Sequence, residues 1–183
     1  TTRQKDEAWK RFQYVDSLVG LTFTKSPGKT QVRVAFGSSG HWSYVGKDVL
    51  NIAATKPTMN LELTAGIFGD GTAEWDRVAI HEILHTLGMS HEHQHPAAGI
   101  PWDEQKVIAY YWQTQGWDEK QTRYQVLNRY TGTQFNGTAF DPSSLMCYPI
   151  SNMLTLEGRY WIDWNWKLSV LDIQFLGRIY PQK

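Results

Sequence analysis

His81, Glu82 and His85 lie close together, with Gly88 and His91 just beyond them. On a helix, histidines four residues apart leave the same face, so two imidazoles reach one point. Such a pair suits a tetrahedral ion, zinc above all, which takes nitrogen ligands at about 2.0–2.1 Å. Glu82 is rotated by about 100° from His81, so its carboxylate can lean toward a nearby water without ligating the ion. A glycine at the helix end can turn left-handed and reverse the chain. Gly88 is placed to do this, and His91 then returns as the third ligand. Three protein ligands leave a position for water, the mark of a catalytic rather than a structural site. A surface helix that happens to carry two histidines is the competing explanation, and the five-residue pattern argues against it.

The elements that must position these residues follow from periodicity. Residues 3–19 carry Ala8, Phe12, Val15 and Val19 at helical spacing, with Gly20 as the stop. Strands are expected at 21–24, at 31–36 with Val32, Val34 and Phe36 on one side, at 42–45, and at 58–64 with Met59, Leu61 and Leu63 on one face. A glycine-rich loop at 66–71 leads to Thr72 as a helix cap and to a helix at 75–87 carrying the histidine pair. Beyond His91 the chain is rich in loops and aromatics, with short helices at 102–114 and 118–128. A final helix at 169–180 opens with Ser169 and Asp172, a capping-box pattern.

Strands gathered in the first half give an α+β class: an N-terminal twisted mixed sheet with two long helices, then an irregular C-terminal lobe with a final helix. The expected organisation is one catalytic domain over 1–183, with lobes of about 1–91 and 92–183 and the active-site cleft between them. The 183 residues carry 18 basic and 18 acidic side chains. That balance leaves no field to attract nucleic acid. No apolar run is long enough for a transmembrane segment. Cys147 is the only cysteine, which excludes an internal disulfide and a cysteine-built zinc site and points to a small buried filler. Asn136 opens a glycosylation triplet, which is common by chance.

The residues 81–91 resemble the zinc motif of the metzincin metallopeptidases, and Glu92 directly after the third histidine points to the astacin branch. Met146, 55 residues after His91, matches the methionine turn that floors the metal in that family. Tyr148 matches a tyrosine that can ligate the resting metal and swing away to meet the transition-state oxyanion. Taken alone, Met146 would be core and Tyr148 a buried aromatic. The stretch 41–46 resembles the segment before the family's edge strand. Residues 58–63 would then be that edge, pairing with an extended substrate.

The resemblance implies a secreted, extracellular zinc endopeptidase, monomeric after removal of a propeptide, acting on protein or peptide substrates bound in extended form. A catalytically inactive metzincin-fold binding or effector module is the alternative. In the family Glu92 would meet a buried N-terminus. This chain starts at its first helix, so a local partner is the other option. His93 and His95 are read as loop residues rather than a second site, and His41 as a surface or structural residue.

Overall fold

The computed structural model describes residues 1–62, 73–131 and 137–182. The expectations for Leu63, Thr64, the glycine-rich loop, Thr72 and Asn136 lie outside the described residues. By its contacts the chain divides into two units: Thr1–Ser90 with Trp166–Lys183, and His91–Asn165. The final helix is therefore part of the first unit.

The first unit is built on two helices. Helix α1 spans Thr2–Asp16 and starts at a capping box made by Thr1 and Gln4. It ends earlier than its periodicity predicts. Gly20 is needed for another reason: its N–H donates to the Tyr180 carbonyl at 2.8 Å, and a Cβ there would stand 1.8 Å from the Pro181 oxygen. Helix α2 spans Ala73–Thr86, with Glu74 and Asp76 in its first turn, where acidic side chains suit the positive end of the helix. The two helices pack together. Ala8, Phe12 and Val15 of α1 are buried, as are Trp75, Val78, Ala79, Ile83 and Leu84 of α2. Arg11 of α1, also buried, bonds Asp76 of α2 at 2.7 Å.

The sheet is smaller than the sequence pattern implies. Strands β1 (Val34–Ala35), β2 (Trp42–Ser43) and β3 (Met59–Asn60) are two residues each. Their order is β1-β3-β2, with β1 parallel and β2 antiparallel to β3. This corrects two expectations. Residues 21–24 form no strand; the Phe23 N–H instead donates to the Asp16 carboxylate at 3.0 Å. The segment at 58–63 is not the edge either, because β3 has a partner on both sides and β2 lies at the end. The alternation of Met59 and Leu61 was misleading because Asn60, between them, is just as buried. Its side chain faces protein too. The Asn60 amide donates to the carbonyls of Gly37 and Gly40 at 3.0 and 2.6 Å and accepts from the Gly37 N–H at 2.8 Å. Asn60 thereby holds the loop that brings β2 back against β3.

Helix α5 spans Val170–Ile179, and the Ser169–Asp172 capping box is present. The first unit thus combines helices with a small mixed sheet.

The second unit contains α3 (Glu104–Gln115), which opens at Asp103 and closes at Gly116 in the left-handed conformation. Helix α4 (Glu119–Thr122) runs into a π-helical segment, Arg123–Leu127. Two apolar clusters hold this unit: Ala98, Ile100, Cys147, Ile150 and Ile162, and Val107, Val126 and Leu154. Cys147 is the buried filler expected of it. No helix among the described residues is long and apolar enough to cross a membrane.

Replacing Asn60 with leucine would remove three hydrogen bonds to the Gly37 and Gly40 backbone, each contributing about 1 kcal/mol net. Asn60→Leu is expected to lower the free energy of unfolding in urea by about 2–4 kcal/mol. A loss below half a kcal/mol would show that the loop is held by other means.

Candidate metal centre

Helix α2 carries His81 and His85 one turn apart, with their rings edge to face at 4.7 Å. The helix stops at Thr86, and the chain reverses at once. Leu87 and Met89 both donate their N–H to the Leu84 carbonyl at 3.1 Å, and Gly88 donates to His85 at 2.9 Å. Gly88 has a φ of +93°, a conformation that side chains with a Cβ resist. Two distant segments press on this turn. Gly46, also left-handed, comes so close that a Cβ on it would sit 3.2 Å from the Gly88 Cα. The Tyr180 hydroxyl, at the end of α5, donates to the Leu87 carbonyl at 2.9 Å.

The turn brings in His91, the first residue of the second unit. One ligand atom from each of His81, His85 and His91 lies within 4.8 Å of the other two. A tetrahedral ion with bonds of about 2.1 Å separates its ligands by about 3.4 Å, so the group is of the right size. The donor chemistry fits as well. A carbonyl can only accept, so the 2.7 Å contact between His85 Nδ1 and the Met89 oxygen fixes the proton on Nδ1. Nε2 is then left as a lone-pair donor, the usual outer-shell arrangement of a ligating histidine. Burial pushes the His85 pKa down to about 4, against a small opposing effect of that bond. The ring is therefore neutral, the form that binds metal.

Glu82 is 6% exposed, and its Oε2 meets no hydrogen-bond partner among the described residues. Burial raises its pKa to about 8, with Arg77 pulling weakly the other way. A lone buried carboxylate is costly, and a divalent cation beside it would offset that cost and favour the ionised form. The orphaned Glu82 oxygen and the neutral His85 ring both suit a cation at this place.

In the second unit Met146 is fully buried, in a tight turn. Ser144 Oγ accepts from the Met146 N–H and the Ser144 carbonyl from the Cys147 N–H, both at 3.0 Å. The Glu92 N–H donates to the Met146 carbonyl at 2.9 Å, which ties this turn to the residue after His91. The Glu92 carboxylate accepts from the Asp141 N–H at 2.8 Å, while the Thr1 amino group bonds Gln4 within its own helix. The Tyr148 ring lies 4.4 Å from that of His91.

His95 uses both ring nitrogens on backbone, accepting from the Ala97 N–H at 2.9 Å and donating to Thr138 at 3.0 Å. His93 does not behave as a surface loop residue: it is buried and stacks on Tyr148 at 4.5 Å. Nothing in the sequence separates it from His95. His41 is half-buried, and burial lowers its pKa. Gly46 lay within the 41–46 segment singled out from sequence, but not for its contact with Gly88.

A histidine pair on a helix and a third histidine past a glycine turn form a group that could hold a metal ion, beside a buried carboxylate with one oxygen unpartnered among the described residues. No family profile matches the chain, and no curated protein does. Solved structures do. One structure of myroilysin is 36% identical over the whole of this chain and 89% of the other, with a TM-score of 0.90. A second structure of myroilysin is 35% identical, covering 100% of this chain and 80% of that one, with a TM-score of 0.69. High choriolytic enzyme 1, a hatching-enzyme zinc protease from the medaka fish Oryzias latipes, is 15% identical, with coverage of 100% and 85% and a TM-score of 0.66. At that identity the medaka protein speaks to the fold alone. Together with the three-histidine group, the likeness to myroilysin shows that the chain belongs to the astacin-like zinc metallopeptidases.

A ligand that binds only the folded state at a hundredfold excess over its Kd stabilises by about 2.7 kcal/mol. Zinc at that excess is expected to raise the stability of chelator-treated protein by this amount. His81→Ala and His91→Ala should each lose more than half of the gain. Equal zinc stabilisation in these variants would remove the two residues from the ligand set.

Proposed function

We propose that the chain is an endopeptidase that hydrolyses peptide bonds within proteins, with His81, His85 and His91 holding a single zinc ion. The observation that carries this reading is the buried, unpartnered carboxylate oxygen of Glu82 on the helix of the histidine pair. A purely structural site has no use for such a group. Zinc at the three histidines would supply a Lewis acid that polarises the scissile carbonyl and lowers the pKa of a water to about 7. Glu82 then takes the proton from the attacking water and delivers it to the leaving amine. Its isolation helps here: with no competing hydrogen bond at Oε2, the carboxylate is available to the water alone. Tyr148, beside His91, donates its hydroxyl proton to the oxyanion that develops. Met146 forms the apolar floor, and Gly88 and Glu92 hold His91 from either side.

The substrate would bind in extended form along β2. This strand lies at the end of the sheet and packs beside α2, so its outer backbone groups suit a peptide added as a further strand. Extracellular action, a monomeric state and removal of a propeptide come with the family likeness and belong to the same proposal.

Glu82→Gln keeps the shape of the side chain and removes the base. The variant should retain one zinc per chain by elemental analysis and lose about 10²–10⁴-fold in kcat on an unstructured protein. Normal turnover in this variant would exclude Glu82 as the base. Zinc content without chelator-sensitive cleavage in the unmodified protein would identify a binding module.

A further inference from the structure

His93 is 1% exposed, unusual for a histidine that ligates nothing. Its Nε2–H donates to the Gln125 carbonyl at 3.0 Å. Gln125 lies in the π-helical segment Arg123–Leu127, where the widened turn changes which carbonyls remain available to side chains. The neighbouring Gln94 amide donates to the Tyr124 and Asn128 carbonyls at 2.8 and 3.0 Å. The His93–Gln94 pair is thus pinned by two bonds to the π segment and by a third to Asn128 just after it. With the proton on Nε2, Nδ1 carries a buried lone pair that meets no partner among the described residues. The ring is therefore held at one nitrogen, and its remaining contacts are made through its faces and edge. It is near-parallel to Tyr148, with centroids at 4.5 Å and planes at 26°, and to His91, with centroids at 5.2 Å and planes at 26°. Tyr148 and His91 themselves touch at 4.4 Å.

We propose that His93 is the positioning residue for Tyr148, a fixed platform that sets the phenol beside His91. This rests on the reading that Tyr148 serves the oxyanion. A tyrosine that must move during turnover needs a surface it can leave and regain without repacking the core. A flat ring stacked on it and anchored from behind meets that need, because stacking restrains the phenol perpendicular to its plane and only weakly within it. The anchor runs from Gln125 in the π segment through His93 to Tyr148.

The test is a double-mutant cycle with a separate structural readout. In zinc-free protein labelled with ¹³C-tyrosine, the Tyr148 ring signal is assigned by its absence in Tyr148→Phe. His93→Leu should move that signal, keep one zinc per chain after loading, and lower kcat about tenfold with KM changed less than twofold. His93→Phe, which restores a flat ring, should recover kcat to within about threefold, and it serves alone if the leucine variant does not fold. Tyr148→Phe/His93→Leu should be no slower than Tyr148→Phe. Multiplying losses in the double variant, an unchanged kcat in His93→Leu, or a tenfold loss in zinc-loaded His93→Phe would each overturn the proposal. A Tyr148→Phe variant with unaltered kcat would instead show that the oxyanion role of Tyr148 is wrong.

Discussion

Six residues separate His85 from His91, and a helix continued over that distance would carry His91 away from the face of the pair. The chain must therefore break and reverse within one turn. Gly88, at a φ of +93°, makes the break. The carbonyls this releases would face solvent or each other if left alone. Here the Leu84 carbonyl takes two N–H groups, Tyr180 covers Leu87, and the Met89 carbonyl takes the His85 ring. That last bond serves the fold and the chemistry together. It closes the turn and, by fixing the proton on Nδ1, leaves Nε2 as the donor. The close approach of Gly46 and the packing of α5 are needed for the same reason, since both reach the turn from far along the chain.

Charge sets a second constraint. Helix α2 buries two histidines and a glutamate within five residues. Burial lowers the His85 pKa to about 4 and raises that of Glu82 to about 8. A protein gains nothing in stability from such an arrangement. A divalent ion beside Glu82 would offset the cost of that burial and favour its ionised form.

Much of this was legible in the sequence, and the parts that were not share a cause. Helices α1, α2 and α5 follow from local periodicity, α5 also from its capping box, and so does the histidine motif, because spacing along a helix is itself geometry. The strands are shorter than their alternation implies, because Asn60 and Arg33 give their hydrogen bonds to loop backbone rather than to water. The Arg33 guanidinium reaches the carbonyls of Thr30, Gln31, Ile52, Ala53 and Lys56. A polar residue between two apolar ones then reads as an exposed face when it is a buried clamp, and β3 is mistaken for an edge. His91, His93 and His95 make the same point more sharply. They are one residue type at alternate positions, yet one joins the metal group, one stacks on Tyr148 and one bonds backbone on both sides. Their fates are decided by Tyr148, Gln125 and Thr138, which lie 30 or more residues away.

The second unit shows how an irregular chain can still hold a site firmly. Apart from α3 and α4, little of its backbone is paired in ladders, so polar side chains must satisfy the buried groups. Gln94 takes two carbonyls, Thr155 takes those of Asn152 and Tyr160, and Asn165 takes those of Pro142 and Ser144, just before Met146. Glu92 adds an acceptor for the Asp141 N–H on the same turn. Each bond contributes only about 1 kcal/mol net, but each fixes a loop at a defined distance from another. Met146 and Tyr148 sit where several of these bonds converge. In a regular sheet or helix the backbone would dictate their spacing. Here side chains dictate it, which lets Met146 be fully buried while Tyr148, two residues on, lies against His91 and stays partly exposed.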